Sequence, residues 1–166
     1  MRAGDPVELV GLGAAVRSVV TSVETSGKSM RAAQAGDNAA LLLRGVGRHQ
    51  VRRGRVLAAP GSLRAHRHFT ATLHLLPAAG GGRRTPVRSG YRPQFYVRTT
   101  DVSGVLDLGG VSGGGGAAAV AWAAPGDTVQ VTVVPGRPVA LDVGQTFAIR
   151  EGGRTVGAGT VTGLLG

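Results

Sequence analysis

Glycine sets the firmest limit on what this chain can build. It supplies 29 of 166 residues, more than double the usual share of about 7%. With proline and aspartate it interrupts the sequence at intervals of roughly ten residues. What lies between the breaks reads as short strands. Residues 6–11 (PVELVG) leave the turn Gly4-Asp5, and residues 16–24 (VRSVVTSVE) are β-branched and partly alternating. Residues 39–43 are a short apolar run closed by Arg44-Gly45. Residues 69–75 (FTATLHL) alternate cleanly, with Phe69, Ala71, Leu73 and Leu75 on one face. Residues 94–98, 104–108, 128–134, 146–150 and 155–162 complete the set. The pattern predicts an all-β sandwich or barrel. Residues 29–34 are the one helical candidate and promise at most a short turn.

The segment 59–62 (APGS) is the best internal boundary, because the strand-like residues 55–58 stop there. It divides the chain into residues 1–61 and 62–166. The first part is marginal for an independent all-β core. Residues 109–119 (GGVSGGGGAAA) are low-complexity and read as a flexible surface loop.

Composition narrows the chemistry. There is no cysteine, which excludes disulfides, thiolate metal sites and cysteine nucleophiles. No apolar run approaches the ~20 residues of a membrane span, and Met1 to Asp5 precede no signal-peptide core. The sequence predicts a soluble, intracellular, cytoplasmic protein. Its formal charge is +10, with Lys28 the single lysine among 19 basic residues. A pI near 11.7 makes nucleic acid the first partner to consider, against a codon-biased, solvated surface as the plain alternative.

Several motifs imitate other chemistries. Residues 22–29 (SVETSGKS) fall one glycine short of a phosphate-binding loop, with Ser22 where the first glycine belongs. Residues 101–104 (DVSG) mimic the DxxG of GTPases. The companion NKxD cannot exist, since Lys28 is not preceded by Asn. These residues argue against nucleotide hydrolysis. His66 and His68 share a side if extended, with His74 further along, but two imidazoles make a thin metal site. Gly113 to Gly116 lack the strand-before, helix-after setting of a phosphate cradle. No Ser/His/Asp arrangement or carboxylate pair emerges.

Other stretches are more specific. In order they are TSVE at 21–24, QAGDNAALLLRG at 34–45, RGRVLAAPGS at 53–62 and GGRRTP at 81–86. SGYRPQFYVRTTDVSG follows at 89–104, PGDTV at 125–129 and FAIREGGRTVGAGT at 147–160. In this order and spacing the chain resembles the second and third domains of the bacterial translation elongation factor Tu family, along nearly its whole length. The resemblance implies two β-barrels: a complete C-terminal one at 62–166 and an incomplete one at 1–61. The chain opens at what resembles a turn inside the second domain, so the family's GTPase domain and the first barrel's opening strands are expected to be absent. GTP and Mg²⁺, the family's cofactors, would then have no site here, and the chain would be a binding module, not an enzyme.

The resemblance also implies partners and residues. Aminoacyl-tRNA is the first partner; the ribosome, a separate GTPase domain and the family's nucleotide exchange factor follow. Glu24 and Asn38 match the aminoacyl pocket, beside which Gly27 stands where many members carry arginine. Arg83, Gln94, Ser103, Arg137, Glu151 and Gly152 match positions that grip the tRNA backbone, with Ser103 replacing a usual threonine. Val87-Arg88 replaces a Phe-Phe pair that often faces a neighbouring domain. The turn Glu151-Gly152-Gly153 is equally compatible with an ordinary hairpin and with close approach to RNA. A truncated or vestigial paralogue, structural and without tRNA affinity, is the rival reading.

Overall fold

The alternating run at 69–75 becomes an eight-residue strand, and the larger part of the fold closes around it. A computed structural model describes residues 1–109 and 122–165. Of the low-complexity stretch, residues 110–119 therefore lie outside the described residues. The first strands are β1 (Pro6–Val10), β2 (Val16–Thr25), β3 (Lys28–Ser29), β4 (Ala40–Leu43) and β5 (Val56–Ala58). Next come β6 (Arg64–His66), β7 (His68–Leu75), β8 (Val87–Arg88), β9 (Gln94–Val97) and β10 (Thr100–Asp107). The last are β11 (Trp122–Ala123), β12 (Thr128–Pro135), β13 (Val139–Leu141), β14 (Thr146–Glu151) and β15 (Arg154–Leu165). The only helical elements among the described residues are 3₁₀ turns at Arg48–Gln50 and Ala78–Gly80. The chain is all-β, as its punctuation predicts.

Six strands close into an antiparallel barrel in the order β10-β12-β7-β15-β14-β9. The odd positions of β7, from Phe69 to Leu75, are all buried. They meet Leu106, Phe95, Val133, Phe147, Ile149 and Val161 in one cluster. The rings of Phe69 and Phe147 meet edge to face at 5.7 Å, a favoured aromatic geometry. Phe147 lies over Gly159 of the neighbouring strand, where a Cβ would stand 2.6 Å from its Cζ. Phe95, one of only six aromatic residues, is buried in the core. Val87 is buried in the same cluster. The position matched to an outward-facing aromatic thus packs inward, and only Arg88 looks out. The interior favours Val87 because β8 pairs with β11, and this ribbon lays Val87 and Ala123 on the barrel.

The N-terminal part is an open sheet. β1 pairs with β2 and β5, while β2 runs on to pair with β3 and β4. Val7, Val20 and Val23 are its buried centre. Arg55 ties the loops around β1 together. Its guanidinium donates to the carbonyls of Gln50 (3.0 Å), Leu9 (3.0 Å) and Ala14, stitching the loop before β5 to the end of β1. Burial pushes its pKa down.

Residues 29–34 form no helix. Met30 N–H donates to the Val23 carbonyl and Ala33 N–H to the Met1 carbonyl, both at 2.8 Å. A helix this short cannot recover its nucleation cost, so sheet-type partners win. The loop-like stretch 22–29 is a hairpin: Ser26 and Gly27 both take positive φ, 46° and 74°, between β2 and β3. That is the turn a two-residue hairpin prefers, and it explains a glycine at position 27.

The sheet docks on the barrel through the β6–β13 ribbon. Val10, Leu63 and Ala140 form a small buried cluster joined by Val56, Ala58 and Ala65. Leu12 N–H donates to the Pro138 carbonyl at 2.7 Å. The buried Thr100 hydroxyl donates to the Gly54 carbonyl at 2.6 Å.

Candidate nucleic-acid interface

The resembled tRNA-contact residues begin at a hairpin. β14 and β15 are joined by Gly152 and Gly153, both at positive φ, 53° and 82°. Two glycines remove the steric cost of that conformation and leave a turn without side chains. Glu151, just before it, forms an ion pair with Arg83. Arg83 Nη2 also donates to Thr85 Oγ1 at 3.0 Å, and its guanidinium lies 4.8 Å from the Tyr91 ring centroid. The Tyr91 hydroxyl donates to Glu151 Oε2 at 3.1 Å. The arginine hydrogen bond, aided by the tyrosine, holds the Glu151 carboxyl below its ordinary range. Burial alone would lower the Arg83 pKa, but the carboxylate and phenol raise it. Burial, with the nearby carboxylate, raises that of Tyr91. A cleft of about 590 Å³ opens here between residues 78–85 and the hairpin, with Arg84 and Arg154 on its walls.

A second cleft, of about 450 Å³, holds Gln94, Ser103 and Arg137. Arg52 and Arg53 reach it from the open sheet. Gln94 Nε2 donates to Ser103 Oγ at 2.7 Å, and the Ser103 carbonyl accepts the Gly136 N–H at 2.7 Å. This last bond seats Arg137 beside the pair.

Strand register joins the two clefts. Arg150 on β14 stands opposite Gln94 on β9, which stands opposite Ser103 on β10. Cross-strand partners share a face, so the three make one row on the outside of the barrel. Arg150 stacks over Tyr96 at 5.1 Å. The six matched positions of the C-terminal part thus fall in two clefts, Arg83, Glu151 and Gly152 in the first and Gln94, Ser103 and Arg137 in the second, with Arg150 next to Glu151 in sequence and opposite Gln94 in register.

Glu24 and Asn38 are set apart on the open sheet. Glu24 pairs in register with Ala40, and the Asn38 carbonyl accepts the Thr25 hydroxyl at 2.5 Å, so the two lie at one end of β2. Both are exposed and line neither cleft. Sequence reasoning overlooked Arg52, Arg53, Arg84, Arg150 and Arg154. The doublet Arg83-Arg84 and the arginine closing the EGGR turn were the available signals. Among the described residues Arg52, Arg53, Arg84, Arg137 and Arg154 make no ion pair. The guanidinium forks, amide and hydroxyl that line these two clefts are the kinds of group that bind phosphate oxygens and ribose hydroxyls.

Of the histidines, His66 and His68 sit in β6 and β7, His49 in the 3₁₀ turn, and His74 Nδ1 lies 3.0 Å from Thr128 Oγ1. No group of three metal-ligating His, Asp or Glu residues occurs among the described residues. No described helix is long and apolar enough to cross a membrane.

Comparison with known proteins covers both parts of the chain. Residues 1–58 match the family model "Elongation factor Tu domain 2", and residues 62–165 match "Elongation factor Tu C-terminal domain". Elongation factor Tu 2 of Streptomyces avermitilis is 58% identical over 162 residues, which is 98% of this chain and 39% of that relative. The chain thus spans well under half the length of the curated protein it matches.

Proposed function

The chain belongs to the elongation factor Tu family of translation factors, and from that premise we propose that it is the part that grips the backbone of aminoacyl-tRNA. One observation carries the reading: two arginine-lined clefts, one with Arg83, Glu151 and Gly152 and the other with Gln94, Ser103 and Arg137, between which strand register sets Arg150 opposite Gln94 and Gln94 opposite Ser103. Duplex RNA is read by shape through phosphates and 2′-hydroxyls, and such a surface can track them. Glu24 and Asn38 border the place of the aminoacyl end. The ribosome, a separate GTPase domain and the exchange factor are the proposed further partners, in the cytoplasm. The chain itself needs no cofactor and is not an enzyme. Residues 22–29 support this, because a β-hairpin replaces the glycine-rich curl that would cradle a nucleotide's phosphates.

A salt-dependent tRNA titration tests the proposal. Three or so phosphate contacts predict a log–log slope of about −2 to −3, scaling from the DNA value of roughly −0.9 per phosphate. Arg137→Ala should weaken binding and flatten the slope by about one unit. Arg17→Ala, on β2, should change neither. Charged and uncharged tRNA should bind alike. One observation favours the scaffold reading instead: Arg83 is already engaged by Glu151. On that reading the two arginine variants behave identically, or no tRNA binds at low salt.

A further inference from the structure

Leu12, in the connection between β1 and β2, takes φ 60°. A residue with a large side chain avoids that conformation and keeps it only where its surroundings impose it. Leu12 lines the second cleft, and its N–H bond to Pro138 fixes it beside Arg137. Arg55 holds the rest of the connection. Its guanidinium reaches the carbonyls of Leu9 and Ala14, on either side of Leu12 in the chain, and also that of Gln50. Gln50 leads into a turn at the same cleft. There the Arg55 N–H donates to the Arg52 carbonyl at 3.1 Å, and Gly54 takes φ 95°, as the third residue of a type II turn must. Arg52 and Arg53 leave this turn for the cleft wall. One half-buried guanidinium thus ties the ends of the Leu12 connection to the loop that carries Arg52 and Arg53.

We propose that Arg55 is the positioning residue of the second cleft, holding Arg52 and Arg53 opposite Arg137 so that the three bind one phosphate group together. The proposal rests on reading this cleft as a phosphate site. Its wall carries those three arginines against a single carboxylate, Asp101. Arg55 itself forms no ion pair among the described residues, and its donors go to backbone carbonyls. The planar fork is what the task needs. Methionine would leave three carbonyls without a donor, glutamine offers two N–H bonds, and lysine is a point charge without a fork.

The test titrates inorganic tripolyphosphate into the full chain at low salt and follows the amide signals of Arg53 and Arg137. Both should move along one saturating curve. Arg53→Ala should weaken binding about tenfold, the worth of one charge-assisted contact. In an Arg55→Met chain the same Arg53→Ala change should cost less than about twofold, because the turn is no longer held for the anion. An arginine with a purely structural role would leave that cost unchanged. Arg154→Ala, in the other cleft, should alter the curve in neither chain. Arg55→Lys keeps the charge without the fork and should behave like Arg55→Met. Arg55→Gln should show an intermediate loss, and it carries the test where Arg55→Met fails to fold. The proposal is overturned if tripolyphosphate leaves both signals unmoved, if Arg53→Ala costs the same with and without Arg55, or if Arg55→Lys binds like the parent. tRNA is titrated separately. Absent tRNA binding with the tripolyphosphate coupling intact overturns the tRNA reading and leaves Arg55 its role. Arg137-dependent tRNA binding without the coupling removes that role and keeps the reading.

Discussion

The barrel and the open sheet are made from the same residue types, yet they bury them very differently. Among the described residues nineteen buried apolar side chains form the barrel's cluster, against three at the centre of the sheet. The difference lies in closure, not in hydrophobicity. A closed ring gives every strand two neighbours and an interior that water cannot enter. An open sheet of similar strands must leave an edge and one rim of its apolar face in solvent. It borrows stability from outside itself, through the seam with the barrel at Thr100 and Leu12.

The largest effect should come from emptying the barrel. Phe147→Ala removes the ring that packs on both Phe69 and Phe95, and should cost about 3–5 kcal/mol. Val20→Ala, at the centre of the sheet, should cost clearly less. Urea titration of both variants checks this, and equal losses would break the contrast. Amide exchange gauges the same contrast without mutation. Amides of β7 and β15 should outlast those of β1, β2 and β4 by two orders of magnitude, about 3 kcal/mol of opening free energy. Uniform protection would mean the sheet is as closed as the barrel.

A smaller change should uncouple the two. Thr100→Val leaves the buried Gly54 carbonyl without its donor, a loss of about 1–3 kcal/mol. The sheet should then unfold ahead of the barrel, so that probes in the two parts no longer give one transition. The smallest effect concerns acid. Glu151 is held below its ordinary range by the Arg83 hydrogen bond, with help from Tyr91. A carboxyl depressed in the fold stabilises it fully above the unfolded carboxylate range, and that stabilisation is lost as pH falls through the folded value. Glu151→Gln should therefore be slightly less stable than the parent at pH 7, with the gap shrinking on acidification. The change belongs to the barrel transition, and a gap that widens in acid would refute a stabilising Arg83–Glu151 pair.

How much of this was legible beforehand depends on length and separation. β7 declares itself because eight residues are enough to show a period of two. β6, β8, β11 and β13 have two or three residues each, too few for any period. They exist because distant partners pair them, as Arg64 pairs with Leu141. The Gly152-Gly153 turn is readable from its own residues. The Arg83–Glu151 pair is not, since 68 positions separate its members. Likewise Arg150, Gln94 and Ser103 become one row only through register. The resemblance named the last two, and the ladder supplied the first.

The closing strand has a consequence in time. Along β15, Leu165 registers with His68 and Leu164 with Phe69. The first and last strands of the barrel are therefore neighbours in space and remote in order of synthesis. No ring can form until β15 has left the ribosome, whereas every described strand of the sheet is complete by Ala58. Contacts between such distant segments fold slowly. During that wait the apolar faces of β7, β9 and β12 have no enclosure, and the barrel is at its most vulnerable to aggregation just before β15 is released.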